Sequence, residues 1–308
     1  MPTFEEAAAK VVAIHGAAWK AGSGNAHRWQ YTLRQYVYPR LGAKAVDAVT
    51  TADVMAVLLP IWTRKHATAQ QVRQRIGTVM KWAIAQGYRN DNPAAEAVTA
   101  ALPKRPVPTE HRRALPHAEV AGAVAAVRSS TAWTGVKLAF EFLVLTAARS
   151  AEVRLATWEE MDLDTLVWTI PASRMKTARD HRVPLCSRAV EVLQQARRLR
   201  IDMTAAAPRG IMFPSRRGKV LRNQSLSGLM PTLSIAAVPH GFRSSFRDWA
   251  SERTDHPREV IEAALAHVVR NQTEAAYARS GLFERRRRLM DDWMRYLNGR
   301  RGHGSAAA

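Results

Sequence analysis

The sequence predicts a mainly α-helical protein with a small β-sheet, divided into a helical first domain and a second domain that contains the sheet. Apolar residues follow helical spacing throughout residues 4–97. Two short β-prone runs, 167–170 and 182–185, stand among helical patterns further along the chain. Between these regions, a stretch rich in proline and basic residues at 102–116 resists both helix and central strand.

The first domain, residues 1–101, reads as one helix after another. Apolar side chains recur three and four positions apart, as at Trp29, Leu33, Tyr36 and Val37. Thr68 and Gln71 have the spacing of a capping box, which predicts that a helix begins there and runs towards Trp82. We expect that helix to stop near Gly87, because glycine favours the C-terminal end of a helix.

Residues 102–116 form the predicted linker, and residues 117–299 form the predicted second domain. Beyond the two β runs, helical patterns resume at 188–201, 240–253, 257–267 and 283–297. Residues 300–308 are rich in glycine and alanine and have no apolar face, so we expect a disordered tail. A chain of 308 residues is long enough for two such domains, each with its own core.

The charge of the chain points to a polyanionic partner. Lys and Arg number 46 against 26 Asp and Glu, which gives a net charge of +20 distributed along the sequence. Nucleic acid fits this balance best, because phosphate contacts release counterions and reward distributed basic residues. A basic protein that binds no polyanion, or one that binds an anionic membrane surface, is the alternative.

Cysteine usage and the apolar segments indicate the compartment. Cys186 is the only cysteine, which excludes an internal disulfide and a cysteine-built zinc site. Glu5 and Glu6 precede any apolar stretch, so no secretory signal is indicated. The most apolar segment, 138–148, is interrupted by Glu141 and is far shorter than the ~20 residues that span a bilayer. We therefore expect a cytoplasmic protein with no membrane partner.

Basic side chains stand at two predicted turns of the second domain. Arg149 follows an apolar helix, where it could bind a phosphate; the alternative is an ordinary surface ion pair with Glu152. Lys176 lies between the two β runs, where its ammonium could reach a DNA groove and donate a proton; the alternative is a solvated basic turn. Further candidates for DNA contact are Arg112, Arg113, Arg174 and Arg179.

Two more groups of candidates follow. His240 and Arg243 lie three residues apart at the start of a predicted helix, so both could meet one phosphate near its N-terminus; a surface pair is the alternative. His267 precedes Tyr277 by ten residues, a separation that allows one helix to end and another to carry the phenol. Taken alone, Tyr277 would more often be a core aromatic.

The ordered set of candidates is similar to the catalytic residues of the tyrosine recombinases, the phage-integrase family. The resemblance rests on Arg149, Lys176, His240, Arg243, His267 and Tyr277. The chain reads Lys-Thr-x-Arg-x-His-x-Val-Pro-Leu from Lys176, His-Gly-Phe-Arg-x-x-Phe-Arg-x-Trp-Ala from His240, and Ala-Tyr-x-Arg around Tyr277. It looks like the integrases of prophages and genomic islands over nearly its whole length. Longer integrases of this type carry an arm-binding domain, and nothing before Thr3 could supply one.

Small departures from the family pattern stand beside the candidates. Ala147 and Ala148 occupy positions where a glycine is common before the first arginine. Val238 and Pro239 precede His240 where a threonine is frequent. Neither change removes a functional group, so the resemblance implies an intact catalytic set.

The resemblance implies a helical core-binding domain and a catalytic domain that cuts and rejoins DNA through a 3′-phosphotyrosine on Tyr277. Guanidinium forks match the charge that develops on the phosphate oxygens, a role for Arg149 and Arg243. The family assigns proton handling to His240, and Lys176 is the candidate acid for the departing 5′-oxygen.

The remaining roles and the cofactor expectation follow from the same chemistry. His267 would donate a hydrogen bond to the phosphate, and Glu152 would orient the first arginine or a nearby histidine. The phosphotyrosine keeps the energy of the broken bond, so religation needs no ATP. No cofactor and no metal are expected, since a divalent cation would duplicate the basic residues.

The expected partner is double-stranded DNA carrying attachment sites, in the nucleoid of a bacterium. Family resemblance implies four protomers on DNA, a monomer when free, and accessory DNA-bending or excision proteins. The apolar stripe of 283–297 either packs on its own domain or docks in a neighbouring protomer. Two other functions stay open, a type IB topoisomerase-like enzyme and a catalytically silent DNA-binding protein.

Overall fold

The computed structural model describes residues 1–19, 24–103, 113–175, 177–202, 210–267 and 281–299. The chain divides into two compact units, Met1–Thr109 and Glu110–Ala308. Each unit has its own apolar core among the described residues. The predicted fold class, mainly α-helical with a small β-sheet, is confirmed.

Helices make up the regular structure in the described part of the first unit. They are α1 (Phe4–Gly16), α2 (Asn25–Tyr36), α3 (Tyr38–Leu41), α4 (Thr51–Trp62), α5 (His66–Ala85) and α6 (Glu96–Ala101). Capping boxes open two of them, formed by Thr3 and Glu6 at the start of α1 and by Thr50 and Asp53 at the start of α4. These side chains satisfy N–H groups that lack a partner within the helix. Hydrogen bonds from Lys44 and Thr50 lower the pKa of Asp53 to about 2.

Helix α5 begins earlier than the sequence pattern suggests. The prediction that Thr68 and Gln71 cap it is wrong, because the helix already begins at His66 and Thr68 lies inside its first turn. At the other end, α5 stops at Ala85, and Gly87 adopts a left-handed φ of 71°. A glycine tolerates this conformation without the steric penalty of a side chain, so the expected stop near Gly87 is confirmed.

The second unit combines helices with the sheet. Its described elements are α7 (Val120–Ser129), α8 (Thr134–Thr146), α9 (Ser150–Arg154), β1 (Met161–Asp162), β2 (Val167–Ile170), β3 (His181–Pro184), α10 (Ser187–Asp202), α11 (Asn223–Ser227), α12 (Leu229–Thr232), α13 (Gly241–Arg253), α14 (Arg258–Ala264) and α15 (Gly281–Leu297). The strands are antiparallel in the order β1-β2-β3, with Trp168 opposite Val183 and Ile170 opposite His181.

The second unit differs from the sequence prediction in two places. Strand β1 was not predicted, because two residues are too few to show an alternating pattern. Helix α14 stops at Ala264, before the predicted end at residue 267. It stops because Ala266 adopts a left-handed φ of 49° and the His267 N–H bonds back to the Glu262 carbonyl at 3.0 Å.

Helix α8 contains most of the apolar stretch of the sequence and lies in the core of the second unit. Its residues from 138 to 146 are all buried, including Glu141 at 2% exposure. The Glu141 carboxylate accepts hydrogen bonds from Arg128 and Arg188. Burial alone raises the pKa of Glu141, but these bonds and charges lower it overall. No helix in the described ranges has the length and apolarity needed to cross a membrane.

Helix α15 packs on its own unit. Leu289, Met290 and Trp293 of its apolar stripe are buried, and Trp293 Nε1 donates to the Val144 carbonyl in α8 at 2.9 Å. The interpretation in which this stripe packs on its own domain is therefore confirmed. A chain shortened before α15 would lose core residues as well as any assembly contact.

Replacing Trp293 with alanine should destabilise the second unit by about 3–5 kcal/mol, because the indole fills the core against Phe246 and Trp249. Chemical denaturation of the full chain measures the change. Arg295→Ala on the same helix is the matched control, since its half-exposed side chain forms an ion pair with Asp292 at the surface. Equal stability of the two variants would contradict the packing of α15.

Candidate active site

Arg149 lies in the turn between α8 and α9, where an ion pair closes the turn. Its backbone N–H donates to Glu152 Oε2 at 2.7 Å, and its Nη1 donates to Glu152 Oε1 at 2.7 Å. The Glu152 side chain is only 6% exposed, against 27% for Arg149. The pair is therefore not the solvated surface pair weighed as the alternative, because the buried carboxylate holds the guanidinium in a low-dielectric environment.

Ala147 ends helix α8 in the left-handed conformation, with φ of 49°. This conformation costs an L-residue roughly 1–2 kcal/mol, whereas glycine adopts it freely. The turn explains physically why glycine suits this position before the first arginine. Arg243 Nη1 donates to the Ala147 carbonyl and so ties this turn to helix α13.

Arg243 connects two turns that are far apart in sequence. Besides the Ala147 carbonyl, its guanidinium binds the Leu265 carbonyl, at 2.6 Å from Nη2. The residue is 5% exposed, and burial, followed by the charge of Arg149, lowers its pKa to about 10. The two carbonyls use two of the five N–H groups that a guanidinium carries. Arg243 therefore joins the Arg149 turn to the turn that carries His267.

His240 precedes the first residue of α13 and is half-buried. A Cβ on Gly241 would lie 2.1 Å from the Arg113 carbonyl oxygen, so only glycine fits beside that backbone. Ser245 Oγ also donates to the Leu115 carbonyl at 2.5 Å. These contacts place the exposed Arg113 next to the helix start that carries His240.

His267 follows α14 and is 45% exposed. Its Nδ1 lies 2.5 Å from Glu262 Oε2, and Oε1 of the same carboxylate accepts from Arg247 Nε at 2.8 Å. Burial alone raises the pKa of Glu262, but the bond from His267 and the charge of Arg247 lower it overall. Neither Glu262 nor Arg247 was a candidate in the sequence analysis, although Arg247 is the second arginine of the motif that begins at His240.

The turn between β2 and β3 is held by its own side chains. Arg174 binds Glu160 and the Glu152 carbonyl, and Asp180 Oδ1 accepts from the Ala172 N–H at 2.7 Å. Arg179 is exposed. The DNA contacts of Arg174 and Arg179 stay predictions. To contact DNA, Arg174 would have to keep its hydrogen bonds to Glu160 and the Glu152 carbonyl at the same time, or give them up.

His181 is a candidate that the sequence analysis did not single out. It begins β3, and it shares a face of the strand with the buried Val183. Burial and the charge of Arg286 lower its pKa to about 4, although Glu152 acts in the opposite direction. Arg243 and Arg149 also interact with it electrostatically. The two-residue alternation along β3 was the signal that could have placed this imidazole beside the arginines.

The described structure thus brings Arg149, Glu152, Arg243 and the backbone before His267 into one connected group. Lys176, Tyr277 and Arg112 lie outside the described residues. Within the described ranges, no three His, Cys, Asp or Glu side chains form a group that could hold a metal ion.

Comparison with known families gives two matches that cover most of the chain. Residues 4–100 match the phage integrase central domain, and residues 113–281 match the phage integrase family. Prophage integrase IntZ of Escherichia coli K12 is 30% identical over 264 residues, which cover 85% of this chain and 63% of that protein. The integrase of Enterobacteria phage P4 is 27% identical over 286 residues, with 86% and 63% covered. The chain thus spans less than two thirds of the length of these relatives.

Solved structures show the same fold. The Tn1549 transposon integrase, in complex with circular intermediate DNA, has a TM-score of 0.69 at 14% identity and covers 90% of this chain and 95% of its own. A lambda integrase tetramer bound to a Holliday junction has a TM-score of 0.67 at 18% identity, with 88% and 79% covered. At these identities the likeness establishes the fold alone.

The pKa of His181 predicts acid sensitivity of the second unit. Its folded-state pKa of about 4 lies below the ordinary 6.5, so the unfolded chain binds more protons at acid pH. The stability that His181 contributes is present above pH 6.5 and is lost as pH falls towards 4. In His181→Gln, the loss of stability between pH 6.5 and pH 4 should be smaller by on the order of 2–3 kcal/mol. Amide-exchange protection of β2 and β3 measures this loss.

The exposed His27 provides the control, since His27→Gln should leave the acid sensitivity of β2 and β3 unchanged. The same loss of protection between pH 6.5 and 4 in the His181 variant and in the native chain would contradict the assignment.

Proposed function

Because the chain belongs to the phage integrase family, we propose that it is a site-specific DNA recombinase. It cleaves and rejoins DNA strands through a 3′-phosphotyrosyl intermediate on Tyr277, and so integrates or excises a mobile element. One observation carries the proposal. Arg243 binds the backbone of the Arg149 turn and the backbone before His267, so residues from three separate segments meet where a phosphate could be bound.

Arg149 and Arg243 stabilise the phosphate in the transition state. Attack on a phosphodiester adds negative charge to the non-bridging oxygens, and guanidinium groups held in place beforehand lose no free energy in reorganising. Glu152 holds Arg149 by its backbone and side chain, and two carbonyls hold Arg243. Arg149 is partly exposed, so it can contact a phosphate that arrives from solvent. Arg243 is buried and contacts the phosphate from the protein side of the site.

Proton transfer is assigned to the remaining members of the set. The phenol of Tyr277 attacks phosphorus and loses its proton, and with an ordinary pKa of about 10 it needs a base or cationic neighbours. His240 takes that proton. Lys176 donates a proton to the departing 5′-oxygen, an effect typically worth ~10²–10⁴-fold in rate. His267 donates a hydrogen bond to a phosphate oxygen.

Rejoining reverses these steps with a new 5′-hydroxyl. The hydroxyl attacks the phosphotyrosine, the P–O bond to Tyr277 breaks, and the phenol recovers a proton. One phosphate ester is exchanged for another throughout, so no ATP is consumed. The cationic side chains supply the charge neutralisation that a metal ion would otherwise provide, so we propose a cofactor-free reaction.

The partner is double-stranded DNA with attachment sites, and the working assembly is a homo-tetramer on DNA. The net charge of +20 supports a DNA partner and makes free protomers repel one another, which favours a monomer in solution. The fold is similar to that of lambda integrase, whose structure is a tetramer bound to a Holliday junction, and this similarity supports the proposed tetramer. Accessory DNA-bending or excision proteins and association with the nucleoid belong to the same proposal.

Each unit has its own part in this proposal. Residues 1–101 bind DNA beside the cleavage site, 102–116 link the two domains, 117–299 carry the chemistry, and 300–308 form a tail. The family matches at 4–100 and 113–281 support this division. The exposed Arg113 and Arg179, together with Arg112 and Arg174, are the proposed DNA-contacting arginines.

Tyr277→Phe should keep DNA affinity and abolish covalent adducts, because the change removes only the nucleophilic oxygen. The substrate is identified first, by sequencing the DNA that is covalently trapped on the native protein in cells carrying the element. Covalent adducts of the native and variant proteins with this DNA are then scored on denaturing gels. Adducts that persist in the variant would disprove the assignment of Tyr277. Strand exchange between two marked duplexes separates a recombinase from a topoisomerase, and a silent DNA-binding protein forms no adduct at all.

DNA affinity should fall steeply with salt. A protein that touches ~6–10 phosphates loses about 10³–10⁵ in affinity between 50 and 200 mM salt. Fluorescence anisotropy with the identified site measures the slope of log affinity against log salt. Arg179→Gln should reduce the magnitude of this slope by about one if its exposed side chain contacts a phosphate. A flat response of the native protein would contradict an extensive phosphate interface.

A further inference from the structure

The carboxylate of Glu262 binds two side chains from different segments. Its Oε2 lies 2.5 Å from His267 Nδ1, and its Oε1 accepts from Arg247 Nε at 2.8 Å. The Glu262 side chain is 15% exposed, against 45% for the imidazole and 47% for Arg247. Both oxygens are engaged, so the carboxylate cannot turn towards solvent without breaking both contacts.

The backbone that carries His267 is fixed from several sides. Its N–H donates to the Glu262 carbonyl at 3.0 Å, and the preceding Ala266 holds the left-handed φ of 49°. One residue earlier, the Leu265 carbonyl accepts from Arg243 at 2.6 Å. With the backbone held in this way, rotation of the imidazole about its side-chain bonds is the main remaining freedom, and the bond to Glu262 fixes that rotation.

The chemistry of the two partners determines which ring nitrogen carries a proton. Burial alone raises the pKa of Glu262, but the bond from His267 and the charge of Arg247 lower it overall, so the group is ionised at neutral pH. An ionised carboxylate only accepts hydrogen bonds, so His267 Nδ1 must be the protonated donor. Nε2 is then the nitrogen left for an outside partner.

We propose that Glu262 is a positioning residue that turns Nε2 of His267 towards the scissile phosphate. The phosphate in this statement rests on the proposed function, whereas the orientation of the ring rests on the described contacts alone. A carboxylate on one nitrogen fixes the rotation of the ring, as in other carboxylate–histidine pairs. When the ring carries a second proton, Nε2–H donates to a phosphate oxygen. Arg247 holds the carboxylate in place through its second oxygen.

The orientation is tested on the full-length protein labelled with ¹⁵N-histidine. Long-range proton–nitrogen spectra distinguish protonated from bare ring nitrogens, and His267→Gln identifies the His267 signals among the ten histidines. The native chain should show a protonated Nδ1 at His267. Glu262→Ala removes the acceptor, and the His267 signals should shift to those of a ring with no fixed tautomer. Unchanged signals in this variant would overturn the proposal.

Two variants on the neighbouring contacts serve as controls. Glu259→Ala lies on the same helix and removes an exposed carboxylate 3.8 Å from Arg285, so the His267 spectrum should stay native. Arg247→Ala removes the second anchor and keeps the Nδ1 bond, so the protonated Nδ1 should persist. If Arg247→Ala shifts the His267 signals as much as Glu262→Ala does, the effect comes from loosening of α13 and α14, and the proposal fails.

The functional consequence is measured as the rate of covalent adduct formation with the trapped DNA site. Glu262→Ala should slow it about 10–100-fold, the usual cost of removing a partner that orients a functional histidine, with DNA affinity unchanged. Combined with His267→Gln, the same change should cause no further loss, because Glu262 acts through His267. A further loss in the double variant would mean that Glu262 supports the fold and would overturn the positioning role.

The two levels of the proposal fail in different ways. If the native protein forms no adduct, the proposed function fails and the phosphate is removed as the target of Nε2. If adducts form normally in Glu262→Ala while the spectrum changes, the ring is oriented by Glu262 but that orientation has no role in cleavage, and the positioning proposal is refuted with the proposed function intact.

Discussion

The buried guanidinium of Arg243 is the contact on which the candidate site depends. It binds one carbonyl in the turn before Arg149 and another in the turn before His267. Each turn contains an alanine held at a left-handed φ of 49°, Ala147 in the first and Ala266 in the second. Such turns are strained for alanine, so the hydrogen bonds to Arg243 compensate for conformations that the local sequence disfavours.

Around this contact, the buried Glu152 and the half-buried Glu262 set the positions of the cationic side chains. Glu152 holds Arg149, and Glu262 holds His267. Each carboxylate is less exposed than the cationic or imidazole partner that it holds. This arrangement leaves the functional groups accessible while their orientation is determined below the surface. Removing either carboxylate would therefore change the geometry of a functional group and would not merely change the net charge.

The sequence predicted the fold class and the order of the candidate residues, because both depend on local patterns. Helical periodicity is visible over ten or more residues, and Arg149, His240 and Arg243 stand at predictable turns and helix starts. The partners of these residues could not be predicted in the same way. His181 interacts electrostatically with residues that are distant in sequence, Glu262 binds Arg247 of the preceding helix, and the burial of Trp293 depends on which element covers α8.

The contact between Trp293 and helix α8 also determines when the second unit can finish folding during synthesis. The indole donates to the Val144 carbonyl across 149 residues of sequence. Helix α8 therefore emerges from the ribosome with apolar surface exposed. Helix α15, which covers that surface in the folded unit, is synthesised only much later. Long-range closure of this kind slows folding and prolongs the exposure of that surface. The second unit is thus expected to mature after translation of α15, and its nascent form is the state most exposed to aggregation and to chaperones.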